Sequence, residues 1–214
     1  MTITVFLVDD HRILRDGLHI LLDMQDDIEV IGEAENGKEA ITRITNQEPN
    51  VVVMDITMPE LNGIEAAQVI HETLPDTGIV ILSIHSDLEH IFRALQAGAQ
   101  GYLLKESAGS EVISAVRAVY LGRRYLSPSI RDTVMEAYMQ GRRIQSPLEL
   151  LSMREREVLQ LTVEGHTSAA IAEKMDLSPK TIETYRSRLM GKIGAHDLPE
   201  LVRFAIKHGI TPID

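Results

Sequence analysis

The first half of the chain alternates between two hydrophobic patterns. Short runs rich in valine and isoleucine predict buried strands, because they are too short to form helices. These strands span Ile3–Val8, Ile28–Ala34, Val51–Met54, Ile79–Leu82 and Gly101–Leu104. Between them apolar residues recur at helical spacing, which predicts helices over Ile13–Met24, Gly37–Thr45, Ile64–Thr73, Leu88–Ala97 and Glu111–Leu121. Repeated strand–helix alternation predicts an α/β domain with a doubly wound, five-stranded parallel sheet covered on both faces.

The strand pattern stops after Leu121. Glycine, serine and proline punctuate the next stretch, in which we predict one amphipathic helix over Ile130–Gln140 and a mobile joint at Gly141–Pro147. From Leu150 onward the pattern is that of four short helices. The predicted organisation is therefore an α/β domain, a linker and a second, smaller all-α domain, at residues 1–121, 122–149 and 150–214.

Composition narrows the class of protein. The chain has 214 residues and no cysteine, which excludes disulfides, thiolate metal sites and cysteine nucleophiles. Residues 1–121 hold 7 basic against 20 acidic residues, whereas residues 122–214 hold 14 against 12, so the second part tolerates a polyanion better. No apolar run approaches the roughly 18 residues of a membrane span, and Met1 leads directly into a strand. We therefore expect a cytoplasmic protein without membrane contacts.

Polar side chains stand where four of the predicted strands end. Asp9 and Asp10 follow the first strand, and the third, fourth and fifth strands end at Asp55, Ser83 and Lys105. The carboxyl ends of parallel strands meet at one edge of a sheet, so three carboxylates converge there and repel one another unless a divalent cation neutralises them. Oxygen ligands favour Mg²⁺ over zinc. A carboxylate beside such a cation can attack phosphorus to form an aspartyl phosphate, whose oxygens a lysine and a hydroxyl can hold.

Each of these residues alone has a simpler interpretation. Asp9 and Asp10 suit a helix cap, Asp55 a solvated turn, and Lys105 an ordinary surface charge. Their coincidence at successive strand ends is what favours a site.

Residues 1–121 resemble the receiver domain of bacterial response regulators. The motifs that carry the resemblance are Leu7–His11, Val53–Pro59, Asn62–Gly63, Leu82–Ser83 and Gly101–Lys105. The resemblance implies a flavodoxin-like fold and a partner histidine kinase that phosphorylates Asp55. It further implies that Asp10, Asp55 and the main-chain carbonyl of Thr57 bind Mg²⁺ and that Asp9 contributes through water. The same resemblance assigns the phosphoryl contacts to Ser83 and Lys105 and the role of aromatic switch to Tyr102.

The third predicted helix of the second domain has an apolar back and a polar front. At about 100° per residue, Ile182, Leu189 and Ile193 share one side, and Lys180 and Ser187 lie on the other. Such a helix fits the major groove of DNA, where hydroxyl and basic groups reach phosphates and base edges. Any amphipathic surface helix has the same spacing, so the pattern alone also allows a simple packing helix.

The second domain resembles the LuxR-type helix-turn-helix domain. The motifs are Met153–Leu159, Glu164–Gly165, Ile171–Ala172, Leu177–Glu183, Leu189–Met190, Lys192–Gly194 and Ala205–Ile206. With the receiver, nearly the whole chain resembles the NarL/FixJ family of response regulators. The resemblance makes Lys180–Ile193 the recognition helix, with Glu183, Thr184 and Ser187 facing bases of double-stranded DNA. Its candidates for DNA-backbone contacts are Lys180, Thr181, Tyr185, Arg188 and Lys192.

The last predicted helix has a broad apolar face. Its residues include Leu198, Leu201, Val202 and Ala205, which pack within the domain or, as the family resemblance implies, pair two such domains in a dimer on DNA.

The resulting hypothesis is a phosphorylation-gated transcription regulator. Phosphorylation of Asp55 gates dimerisation and sequence-specific DNA binding, and the chain is not a multiple-turnover enzyme. Two rivals stay open. One is a phosphohydrolase that passes through an aspartyl phosphate, although such enzymes usually carry a second acid where this chain has Thr57. The other keeps the receiver and makes the helical domain a protein-docking module.

Overall fold

We describe a computed structural model of the chain, which covers residues 2–140 and 146–211. The chain divides into two compact units, residues 1–144 and residues 145–214. Residues 141–145 of the predicted joint lie outside the described part. No described helix combines the length and the apolar character that crossing a membrane requires.

The first unit is a doubly wound α/β fold, as predicted. Its parallel strands are β1 (Ile3–Val8), β2 (Ile28–Ala34), β3 (Val51–Asp55), β4 (Gly78–Ser83), β5 (Gly101–Leu104) and β6 (Tyr125–Leu126), in the order β2-β1-β3-β4-β5-β6. Its helices are α1 (Arg12–Asp23), α2 (Gly37–Gln47), α3 (Gly63–Thr73), α4 (Leu88–Gln96), α5 (Ala108–Tyr120) and α6 (Pro128–Met139). One apolar core packs α2, α3, α4 and α6 against the sheet, and a second packs α1 and α5 against the opposite face.

The sheet has a sixth strand that the sequence pattern did not predict. In β6, Leu126 pairs with Tyr102 of β5, and the Ser127 amide donates to the Tyr102 carbonyl at 3.1 Å. Helix α6 follows at once and buries Ile130 completely in the core shared with α4. Much of the predicted linker is therefore part of the first unit. The sequence pattern missed this sixth strand because two residues held by backbone hydrogen bonds are too few to show a hydrophobic period.

The second unit is a four-helix domain, as predicted. Its helices are α7 (Met153–Val163), α8 (Ser168–Met175), α9 (Pro179–Ile193) and α10 (Leu198–Lys207). Ser152 and Glu155 form a complete capping box at the start of α7, and Ser178 caps α9 directly before its proline. This unit begins before the predicted residue 150, because Leu148 of a preceding 3₁₀ turn is fully buried in the helical core.

Candidate functional site

The strand ends of the first unit meet as the parallel topology requires. Asp55 is paired with Leu82 in the ladder between β3 and β4, and Ser83 with Leu104 in the ladder between β4 and β5. The Lys105 ammonium lies 2.7 Å from Asp55 Oδ2 and 2.9 Å from Asp9 Oδ2. Asp9 and Lys105, which are 96 positions apart in the chain, thus share one ion-pair cluster with Asp55. We use the name acid pocket for Asp9, Asp55 and Lys105 together with the neighbouring Asp10.

A glycine lets the next helix start close to the acid pocket. A Cβ at Gly63 would lie 1.8 Å from the main-chain oxygen of Asp55, and the Gly63 amide donates to the Ile56 carbonyl at 2.8 Å. Asn62 caps this helix through its side chain, which accepts from the amides of Ile64 and Glu65. The loop after β3, which carries Thr57, is therefore closed tightly against the end of its strand.

The oxygen atoms of the acid pocket fit a hard divalent cation. Ligand atoms of Asp9, Asp10, His11 and Asp55 lie within 4.8 Å of one another. Asp9 Oδ2 and Asp10 Oδ1 are buried, with the Lys105 ammonium 2.9 Å from the first and a His11 nitrogen 2.7 Å from the second. Three acidic side chains around one ammonium are costly to bury together unless a further cation offsets their charge. The predominance of carboxylate oxygens favours Mg²⁺.

Burial dominates the electrostatics of the acid pocket. It raises the pKa of the Asp55 carboxyl to about 6, because the nearby Lys105 charge only partly offsets the cost of desolvation and the Asp9 charge adds to it. Burial also acts to lower the pKa of Lys105, but the ion pairs with Asp55 and Asp9 outweigh it and raise that pKa. Lys105 therefore stays charged, and the pocket holds more negative than positive charge when Asp55 is ionised.

Tyr102 occupies an inward position beside the acid pocket. Its side chain is fully buried, and its hydroxyl donates to the main-chain carbonyl of His85 at 2.8 Å. Burial raises the pKa of this hydroxyl well above its ordinary value of 10. The hydroxyl of Ser83, also fully buried, accepts from the His85 amide at 3.0 Å. The loop after β4 therefore joins the predicted phosphoryl contact Ser83 to the predicted switch Tyr102.

His85 of the same loop pairs with His90 of α4, and the sequence did not reveal this pair. The rings of His85 and His90 stack at 4.0 Å between centroids and 5° between planes. Burial and the His90 charge lower the pKa of His85 to about 4, so its ring is neutral. His85 Nε2 lies 3.4 Å from the Thr57 hydroxyl. The sequence gave no sign that the two histidine rings stack, because the distance between them depends on the conformation of the residues that join them.

Arg15 is a second feature that sequence reasoning missed. It lies on the buried face of α1 with Leu18 and Leu22, and its side chain is 7 % exposed. A charged residue on an apolar helical stripe was the available signal. Its guanidinium contacts Asp9 of the acid pocket through the main-chain carbonyl.

Helix α9 presents most of the predicted DNA contacts to solvent. Lys180, Glu183, Thr184, Ser187 and Arg188 are all exposed, whereas Thr181 and Tyr185 are half-buried. The Tyr185 ring packs against the helical core. Exposed hydroxyl, acidic and basic groups on one helix offer both donors and acceptors to base edges and phosphates.

Lys192 is already engaged within the second unit. Its ammonium lies 2.6 Å from Glu155 Oε2, the carboxylate that also accepts from the Ser152 amide in the capping box. Burial acts to raise the pKa of Glu155, but the bonds from Lys192 and Ser152 outweigh it and lower that pKa. A DNA phosphate has to compete with this ion pair for Lys192.

The apolar face of α10 is divided between the core and the surface. Leu201 and Ala205 are buried inside their own unit, at 1 % and 0 % exposure, and their role as dimer contacts stays a prediction. Leu198 is 48 % exposed, and Val202 is half-buried. The sequence pattern could not separate the two groups, because it holds no information on which neighbour each side of α10 meets.

Two protein-family models match the chain. Residues 5–117 match the response regulator receiver domain, and residues 149–205 match the bacterial regulatory proteins of the luxR family. The first match contains the acid pocket and Tyr102, and the second contains α9.

Known proteins match the chain over nearly its full length. The oxygen regulatory protein NreC of Staphylococcus carnosus (strain TM300) is 36 % identical over 209 residues, covering 95 % of this chain and 96 % of NreC. The response regulator UvrY of Escherichia coli (strain K12) is 36 % identical over 208 residues, covering 97 % and 95 %. A structure of two RcsB dimers bound to two parallel DNAs has a TM-score of 0.60 and 25 % identity, covering 97 % and 99 %.

Proposed function

From the premise that this chain belongs to the NarL/FixJ family of two-component response regulators, with a LuxR-type DNA-binding domain, we propose that Asp55 is its phosphoacceptor. The observation that carries the proposal is the convergence of Asp9, Asp55 and Lys105 within ion-pair distance at one sheet edge. The phosphodonor is a partner histidine kinase. An oxygen of Asp55 forms the new bond to phosphorus as the bond from phosphorus to the donor nitrogen breaks.

The residues of the acid pocket divide this work among them. Asp10, Asp55 and the Thr57 carbonyl would hold Mg²⁺, and Asp9 would contribute through water. When bound, Mg²⁺ neutralises the acids and polarises the phosphoryl oxygens. Lys105, which pairs with Asp55 before the reaction, passes to a phosphoryl oxygen as the Asp55 charge is consumed.

Ser83 and Tyr102 carry the change away from the acid pocket. In the phosphorylated protein the Ser83 hydroxyl donates to a phosphoryl oxygen. Before phosphorylation the same hydroxyl accepts a hydrogen bond from the His85 amide, so its movement pulls on the loop that carries His85. Tyr102 holds the same loop through the His85 carbonyl. A phosphoryl group with up to about two negative charges therefore changes the position of this loop and of the α4 face beside it.

The second unit binds double-stranded DNA through α9. By resemblance to LuxR-type domains, Glu183, Thr184 and Ser187 face the bases and Lys180 and Arg188 contact phosphates. All five are exposed on that helix, which supports this assignment. A homodimer places two such helices on half-sites about one turn apart. Phosphorylation of Asp55 gates this binding, and a coupling of about 1–3 kcal/mol changes DNA affinity about 5- to 150-fold.

The chain acts on itself and not on a turnover substrate. It takes up a phosphoryl group and later loses it to water, so we do not assign it an enzyme activity. Its place of action is the cytoplasm, where the DNA of a bacterium lies.

The test is phosphorylation of the full chain by a small phosphodonor with Mg²⁺, followed by intact mass. The wild type gains one phosphoryl group, and the D55N variant gains none. The D27N variant, at a half-buried aspartate paired with Arg117, is the matched control and reacts like the wild type. Equal labelling of D55N would refute the assignment.

DNA gating is tested by selection of genomic fragments with and without a beryllofluoride phosphoryl mimic. The mimic strengthens binding by the wild type and not by D55N. Loss of duplex binding in the K180A/R188A variant supports α9 as the interface, whereas an unchanged footprint excludes α9. A wild-type chain that retains no duplex in the selection favours a protein-docking role.

A further inference from the structure

Arg15 is a buried cation one helical turn beyond the acid pocket. Its side chain is 7 % exposed, and burying a guanidinium is costly unless its donors are satisfied. The carboxylates that surround it come from the end of β2 and from the loop that follows, not from its own helix. Arg15 is therefore held in place by tertiary contacts and not by its own helix.

Three Arg15 nitrogens bind three separate acceptors. Nε donates to Glu33 Oε2 at 2.9 Å and Nη2 donates to Glu35 Oε1 at 2.8 Å. Nη1 donates to the main-chain oxygen of Asp9 at 2.5 Å. The guanidinium is planar and rigid, so fixing two of its nitrogens on glutamates fixes the direction of the third.

The Asp9 carbonyl that accepts from Arg15 lies between the two acids of the pocket. It belongs to the peptide bond that joins Asp9 to Asp10, so its direction sets the plane from which both acid side chains leave the chain. The Asp9 amide donates to the Ala34 carbonyl at 3.2 Å, and the His11 amide donates to Asp9 Oδ1 at 2.8 Å. Arg15 completes this set by holding the carbonyl between them.

We propose that Arg15 is a positioning residue that, clamped by Glu33 and Glu35, orients the Asp9–Asp10 peptide so that both carboxylates face the cation of the acid pocket. The inference rests on the proposed function, in which that pocket holds Mg²⁺. Partners that stand behind metal ligands typically change metal affinity about 10- to 100-fold when they are removed.

The sign of the effect separates positioning from simple electrostatics. Removing the positive charge of Arg15 takes one ion-pair partner from Glu33, which also pairs with His19, and one from Glu35, and it makes the region more negative. Electrostatics alone therefore predicts that Mg²⁺ binds more tightly to the R15A variant. Loss of positioning predicts the reverse.

The experiment is calorimetric titration of Mg²⁺ into the full chain, stripped of metal and held at a temperature where circular dichroism shows each variant folded. We expect R15A to bind Mg²⁺ more weakly, with a dissociation constant about 10-fold larger than that of the wild type. R15K keeps the charge and loses the planar fork, so we expect weaker binding there too, whereas electrostatics predicts no change. R117A removes an arginine that pairs with Asp27 before the start of β2 and controls for general destabilisation.

Each outcome is decisive. Weaker binding in R15A and R15K with wild-type affinity in R117A supports the proposal. Wild-type or tighter binding in either Arg15 variant overturns it, as does an equal loss in R117A. A wild-type chain that binds no Mg²⁺ fails the proposed function itself and removes the premise of the inference.

Discussion

Asp55 is a buried acid, and burying its negative charge costs free energy of folding. Replacing it with the neutral asparagine should therefore stabilise the metal-free protein. The D55N substitution keeps the shape of the protonated acid and removes the ionisation. Lys105 keeps an ion-pair partner in the D55N variant, because its ammonium also pairs with Asp9. We expect D55N to unfold at a higher urea concentration than the wild type when no divalent cation is present.

The pKa of Asp55 gives the size and the pH range of this gain. Burial raises that pKa from 3.8 to about 6, and about two pKa units correspond to roughly 3 kcal/mol. Below pH 4 the acid is protonated in both states and costs nothing. As pH rises from about 4 to 6, the unfolded chain ionises first, so the wild type loses stability. The gain of D55N therefore grows over this interval and is constant above it.

Urea unfolding in chelator at pH 5, 6, 7 and 8 measures this gain. D27N is the matched control with the opposite sign, because Arg117 lowers the pKa of Asp27 and its removal costs stability at neutral pH. Saturating Mg²⁺ should shrink the D55N gain, since the cation stabilises the ionised wild type. A gain of equal size at pH 5 and pH 8, or a destabilised D55N, would refute burial as the source of the shift.

Three further predictions concern single contacts. Y102F removes the hydroxyl bond to the His85 carbonyl and keeps the ring, so we expect a loss of about 1 kcal/mol in urea unfolding; an unchanged midpoint would show that the bond is absent in solution. K180A should lower the salt dependence of DNA binding by about one unit, while K192A should leave it unchanged because its ammonium is held internally; filter binding over a salt series distinguishes them. L201A should destabilise the second unit by about 2–5 kcal/mol, whereas L198A, half-exposed, should weaken self-association with little effect on thermal unfolding.

The acid pocket could be predicted because local patterns and topology agree. Strands β1 and β5 have the predicted bounds, and the parallel order brings Asp9, Asp55, Ser83 and Lys105 to one edge without any knowledge of side-chain contacts. A residue that ends a strand is identified by sequence and placed by topology.

Contacts set by tertiary packing were beyond the sequence. Arg15 meets Glu33 across 18 positions, and Lys192 meets Glu155 across 37 positions. Neither spacing belongs to a helix or strand period, so only the assembled fold decides which charges pair. The division of α10 into core and surface has the same origin, because its neighbours select the side that is buried.

The sixth strand moves the boundary of the smallest piece of this protein that can fold alone. A fragment ending at Leu121 would leave the backbone edge of β5 unpaired, a ready template for another chain. It would also open the space that Ile130 fills completely. A fragment meant to fold by itself should therefore end beyond α6. A shorter fragment would be prone to aggregation and poorly packed, and Tyr102 would lose its backbone pairing with Leu126.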